Sequence, residues 1–122
     1  MAAGRRKVNL DRVLASAKEA RMERVEPADC TAMAEVREGV DRLDEQLVAL
    51  LGERFRYMDA AARIKPERAA VRDEWRKADV LAKVARHAAA AGVPAEVAAD
   101  LYERLVEASI AYELDRFDAL RG

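Results

Sequence analysis

The stretch MAEVREGVDRLDEQLVALLGERFRYMDAAARIK, residues 33–65, decides the fold. Its apolar residues fall at Met33, Val36, Val40, Leu43, Leu47 and Leu50, in steps of three and four. That spacing draws a seam along an α-helix and predicts one from about Ala32 to Lys65, since Pro66 disfavours helix at the residue before it. Roughly 34 residues at 1.5 Å each span about 50 Å, longer than a compact domain of this size is wide. A helix that long needs a partner along much of its length. The heptad-like seam makes the partner another helix, and the same helix of a second chain can supply it.

The seam breaks where the next leucine is due, at Arg54. Eleven residues are almost whole turns of a helix, so Lys65 falls on the same side, with only Met58, Ala61 and Ala62 between them. A cation that faces an interior is costly unless an anion meets it. Two partners are open at this point: a buried Glu of the chain itself, with Glu113 the candidate, or an anionic ligand. Arg37 stands 17 residues before Arg54, about 25 Å along the axis and a quarter turn round it. Arg37 and Arg54 of one chain therefore cannot hold one small ligand together. Across a crossed or antiparallel pair of chains, Arg37 of one can meet Arg54 of the other.

Outward from the long helix, Pro27 and Asp29 mark a break, and Asp29 or Thr31 is the expected cap. Residues 1–26 form a basic extension in which Val8, Leu10, Val13, Leu14 and Ala17 predict a short amphipathic helix. Beyond it, 27–122 reads as one helical domain. Residues 66–72 are a charged linker, and Asp73 is placed to cap a second helix through Ala91, with Val80, Leu81, Val84 and Ala88 as its stripe. Gly92-Val93-Pro94 ends it, and Pro94 opens a third helix to about Leu120. There Val97, Leu101, Leu105, Ala108 and Tyr112 are expected to face inward, while Tyr102, Val106, Ser109 and Glu113 share a neighbouring face. The fold class is all-α: three helices, the first very long, in a helical dimer.

Composition agrees. The chain is 52% hydrophobic with 5 Gly and 3 Pro among 122 residues, and it has no alternating Val/Ile/Thr runs. A net charge of -1 argues against a nucleic-acid binder. No apolar run approaches a membrane span. The basic residues near Met1 lead into no apolar signal segment, and a single cysteine, Cys30, fits a reducing compartment, so the expected location is the cytoplasm. His87 has no second His or Cys near it, and no metal-site spacing, Gly-rich phosphate loop or nucleophile elbow is present. No cofactor and no metal are expected.

The segments VREGVDRLDEQLVALLGERFRYMDAAARIK (36–65), VRDEWRKADVL (71–81) and SIAYEL (109–114) resemble the all-α, type II chorismate mutases and the related isochorismate-pyruvate lyases. The resemblance spans about residues 27–118, and its most specific part is the Arg37, Arg54, Lys65 spacing. The lead-in PADCTAMAEVR (27–37) is similar to the lyase branch. The resemblance implies an intertwined homodimer with two shared sites, each taking a small dianion. It implies Arg54 and the partner chain's Arg37 as carboxylate clamps, and Lys65 as donor to the ether oxygen and to a carboxylate. It places Arg76 and Lys77 in the pocket, Asp73 at its mouth, Ser109 on the ring-side carboxylate, and Glu113 where many relatives have Gln. Lys77 departs from the mutases, which carry a Glu there for the ring hydroxyl; the lyase branch also lacks that Glu. Only a protonated Glu113 can donate to the ether oxygen, so activity is expected to rise toward acid pH. The implied function is chorismate mutase, with isochorismate-pyruvate lyase as the alternative and a non-catalytic helical dimer as the third reading.

Overall fold

A computed structural model describes residues 24–122. The amphipathic helix expected around Val8 to Ala17 lies outside them. Among the described residues there are three α-helices: α1 (Met33–Ile64), α2 (Glu74–Ala91) and α3 (Ala95–Arg121). Short 3-10 turns at Pro27–Asp29 and Arg68–Ala70 precede α1 and α2, and the described residues contain no strand. The all-α class and the single long helix stand as read from the sequence, and α1 has 32 residues. The chain divides into two units, up to Gly52 and from Glu53 onward.

In the first unit the start of α1 is capped from within. The Glu35 carboxylate accepts from the backbone N–H groups of Thr31 (2.9 Å) and Ala32 (3.1 Å) and from the Thr31 hydroxyl (3.2 Å). The expected cap from an Asp29 or Thr31 side chain is therefore corrected: Asp29 sits in the preceding 3-10 turn, and Thr31 donates instead of accepting. The reach-back satisfies N–H groups that have no partner inside the helix. Those hydrogen bonds, that of Thr31 first, hold Glu35 below the usual carboxylate range. The seam of this unit stays open in the single chain: Met33, Val36, Val40, Leu43, Leu47 and Leu50 are all exposed, Leu47 by 56%.

The second unit has its own core. Ala62 of α1, Val71 of the link and Val106, Ile110 and Phe117 of α3 are buried together, with Val80, Leu81, Tyr102 and Leu114 packed around them. Asp73 caps α2 as expected, its side chain accepting from the Arg76 N–H at 3.0 Å. Gly92 ends α2 at φ 75, a left-handed conformation that glycine takes without Cβ strain, and its N–H reaches the Ala88 carbonyl. The α2 stripe is as expected, half-buried at Val80, Leu81 and Val84 and buried at Ala88.

The inward face of α3 is corrected in part, since Leu105 and Tyr112 are half-buried as expected. Val97, Leu101 and Ala108 are exposed, Leu101 by 62%, while Ala98, Val106, Ser109, Ile110, Glu113 and Phe117 are buried. The two rows lie one residue, about 100°, apart on the helix. The inner row carries the ring of Phe117, which buries more apolar area than Val97 does. Tyr112, half-buried, stays on the packed side: it meets Phe55 edge to face, centroids 5.0 Å apart, and donates to Asp59 at 2.7 Å.

Candidate active site

A cavity of roughly 640 Å³, its open mouth included, lies within the second unit. All three helices and the link contribute. Arg54, Met58 and Ala61 come from α1, Lys65 from just past its end, Val71 and Asp73 from the link, Arg76, Lys77 and Val80 from α2, and Val106, Ser109, Ile110 and Glu113 from α3. The structure thus brings together seven of the expected site residues: Arg54, Lys65, Asp73, Arg76, Lys77, Ser109 and Glu113. Arg37, the eighth, belongs to the first unit and lines none of this cavity.

The cations differ in what meets them. Lys65 Nζ stands 2.7 Å from Glu113 Oε2 and 3.4 Å from the Val71 carbonyl. Glu113 is only 4% exposed, and its Oε2 has no hydrogen bond of good geometry, so the contact is Coulombic. Arg54 takes no carboxylate among the described residues. Its Nη1 donates to Ser109 Oγ at 2.7 Å, and the guanidinium lies 5.9 Å from the Tyr102 ring. The Ser109 hydroxyl in turn donates to the Leu105 carbonyl at 2.6 Å, which leaves its lone pairs for Arg54. Of the two partners left open by the sequence, the buried ion pair holds for Lys65 and not for Arg54.

The rim is laced with ion pairs. Arg76 reaches Asp79 at 2.7 Å, and Lys77 reaches Glu103 and Glu107, both at 2.8 Å. Arg72 holds Glu107 through both oxygens, at 2.7 and 3.2 Å. Hydrogen bonds from Arg72 first, and from Lys77, pull the Glu107 carboxyl down to about 2. Its partners Lys77 and Arg72 are held above their ordinary values, Lys77 chiefly by Glu103 and Arg72 chiefly by Glu107.

Sequence reasoning missed Glu103, Glu107, Arg72 and Arg121. Nothing in the sequence marks Glu103 and Glu107, because only the fold supplies their cations. Arg121 donates to the carbonyls of Ala62 (3.0 Å) and Lys65 (2.8 Å) and stacks 3.6 Å over the Phe117 ring. It satisfies the end of α1 at the residue whose side chain enters the cavity. His87 is exposed on α2, and among the described residues no three His, Cys, Asp or Glu side chains group as metal ligands. No helix among them is long and apolar enough to cross a membrane.

This cavity, apolar on its floor and ringed with cations, suits a small anion with an apolar ring. A model of the type II chorismate mutase family matches residues 36–114. The isochorismate pyruvate lyase of Pseudomonas aeruginosa is 35% identical over 96 residues, covering 79% of this chain and 95% of that protein. On both grounds the chain belongs to the type II chorismate mutase family.

Proposed function

We propose that this enzyme rearranges chorismate to prephenate, in a homodimer whose two sites each take Arg37 from the partner subunit. The observation that carries the reading is Arg54: a cavity cation with no carboxylate partner among the described residues, anchored on Ser109 in the same cavity as Lys65. Such a guanidinium is prepared for a carboxylate, which it can hold through two parallel hydrogen bonds. Chorismate carries one carboxylate on its ring and a second on the enolpyruvyl ether side chain. The exposed seam from Met33 to Leu50 supports the dimer, because an apolar row this long calls for another helix.

The rearrangement is one pericyclic step that needs no covalent intermediate. As the ether C–O bond breaks, its oxygen gains negative charge. Lys65 donates to that oxygen and stabilises the transition state more than the ground state. Glu113, once protonated, supplies a second donor. Arg54 and Arg37 of the partner subunit clamp the carboxylates and hold the side chain over the ring, which removes part of the entropic barrier.

A second reading, isochorismate-pyruvate lyase, is favoured by two observations: the name of the Pseudomonas aeruginosa relative, and Lys77 where mutases carry a Glu. Both activities use the same anion clamp. The test is to incubate the purified protein separately with chorismate and isochorismate, following loss of each and the fluorescence of salicylate. Loss of chorismate without salicylate supports the mutase; salicylate from isochorismate supports the lyase; no turnover of either rejects both.

A further inference from the structure

Among the cavity cations, Lys77 is held in an unusual way. Its side chain is 17% exposed and lines the cavity, yet both of its partners, Glu103 and Glu107, stand outside the cavity wall. An ammonium has three N–H donors, and two are taken at 2.8 Å each. Glu107 cannot follow Lys77 inward, because Arg72 grips both of its oxygens. The low position of Glu107, about 2, keeps this anchor ionised across the working range of an enzyme. Lys77 therefore lines the cavity while its ammonium is compensated by two carboxylates that do not line it.

We propose that Glu103 and Glu107 are positioning residues that act through Lys77, withholding its ammonium from a bound dianion so that the cavity grips substrate through Arg54 and Lys65. The inference rests on the dianion reading of the site. A cation that binds substrate, transition state and product alike lowers KM without raising kcat, and it slows release of an anionic product. The tether keeps such uniform binding weak.

The sign of the effect sets this apart from a structural role. Loss of a supporting ion pair loosens a site and raises KM, whereas loss of the tether lowers it. Glu103→Gln is the first variant, since its side chain is 52% exposed. At low salt its KM is expected to fall about threefold with kcat unchanged or lower. In a Lys77→Met background the same substitution should lower KM by less than half as much, because only the bulk charge then changes. Glu107→Gln, with its fold checked by far-UV circular dichroism, should shift KM in the same direction. An unchanged or raised KM in both folded variants overturns the proposal. So does an equal fall with Met at position 77.

If the wild type turns over neither chorismate nor isochorismate, the reading of the reaction fails, and the tether is scored separately on dissociation constants of the same two dianions by titration calorimetry. Tightening by Glu103→Gln that depends on Lys77 supports it. Absence of binding, or binding without that tightening, overturns it.

Discussion

Lys65 meets Glu113 at 2.7 Å across a cavity wall in which Glu113 is almost wholly buried. An ionised Glu113 occupies the Lys65 ammonium and can only accept hydrogen bonds. A protonated Glu113 frees that ammonium and becomes a donor itself. Glu113→Gln reproduces the second arrangement, releasing the ammonium and supplying a donor of its own, so its kcat/KM is expected to rise severalfold. An unchanged or lower kcat/KM in a folded Glu113→Gln variant contradicts this.

Arg121 fixes the other end of the same residue, through the Lys65 carbonyl at 2.8 Å. Arg121→Ala is expected to cost about 1 kcal/mol of stability, typical of such hydrogen bonds. Its larger effect should fall on kcat, about three- to tenfold lower with KM changed less than twofold, because the Lys65 donor is misplaced. Arg121→Lys should recover part of the loss. Steady-state kinetics beside thermal unfolding checks this, and an unchanged kcat in Arg121→Ala rules it out.

The proposed shared site predicts a complementation result. Arg37→Ala and Arg54→Ala should each be inactive alone. Co-expressed, they form mixed dimers in which one of the two sites draws an intact Arg37 from one chain and an intact Arg54 from the other. Statistical mixing then returns about a quarter of wild-type activity. Recovery of none contradicts a shared site.

Phe117 closes the core beneath the cavity and carries Arg121 on its ring. Phe117→Ala should lose about 3 kcal/mol to the void left behind. Calorimetry or circular dichroism should place its thermal midpoint about 10 °C lower. A shift within about 2 °C of the wild type shows that the site does not pack as described.

Much of this was legible in the sequence, for identifiable reasons. The seam from Met33 to Leu50 announces α1 because its period leaves no alternative to a helix. Asp73 and Gly92 bracket α2 through local chemistry that needs no tertiary partner. The inward face of α3 was not legible. Val97–Leu101 and Ala98–Tyr102 are adjacent apolar rows, and the core chooses between them by the volume it must fill. Arg54 and Lys65 could be read as cations in need of anions, but only the fold divides them, giving Lys65 a carboxylate and Arg54 a hydroxyl. Glu103 and Glu107 look like solvent-facing charges in the sequence. Their role depends on Lys77, 26 and 30 residues earlier.

In the proposed reaction the cavity converts a dianion with Lys65 as donor to the breaking ether bond. The direct measurement compares turnover by wild type and Lys65→Ala, with chorismate and with isochorismate, under conditions where both proteins are folded by circular dichroism. The wild type is expected to consume at least one of the two, and Lys65→Ala to lower kcat about a hundredfold or more. Wild-type protein that consumes neither, or a Lys65→Ala variant that retains full turnover, contradicts it.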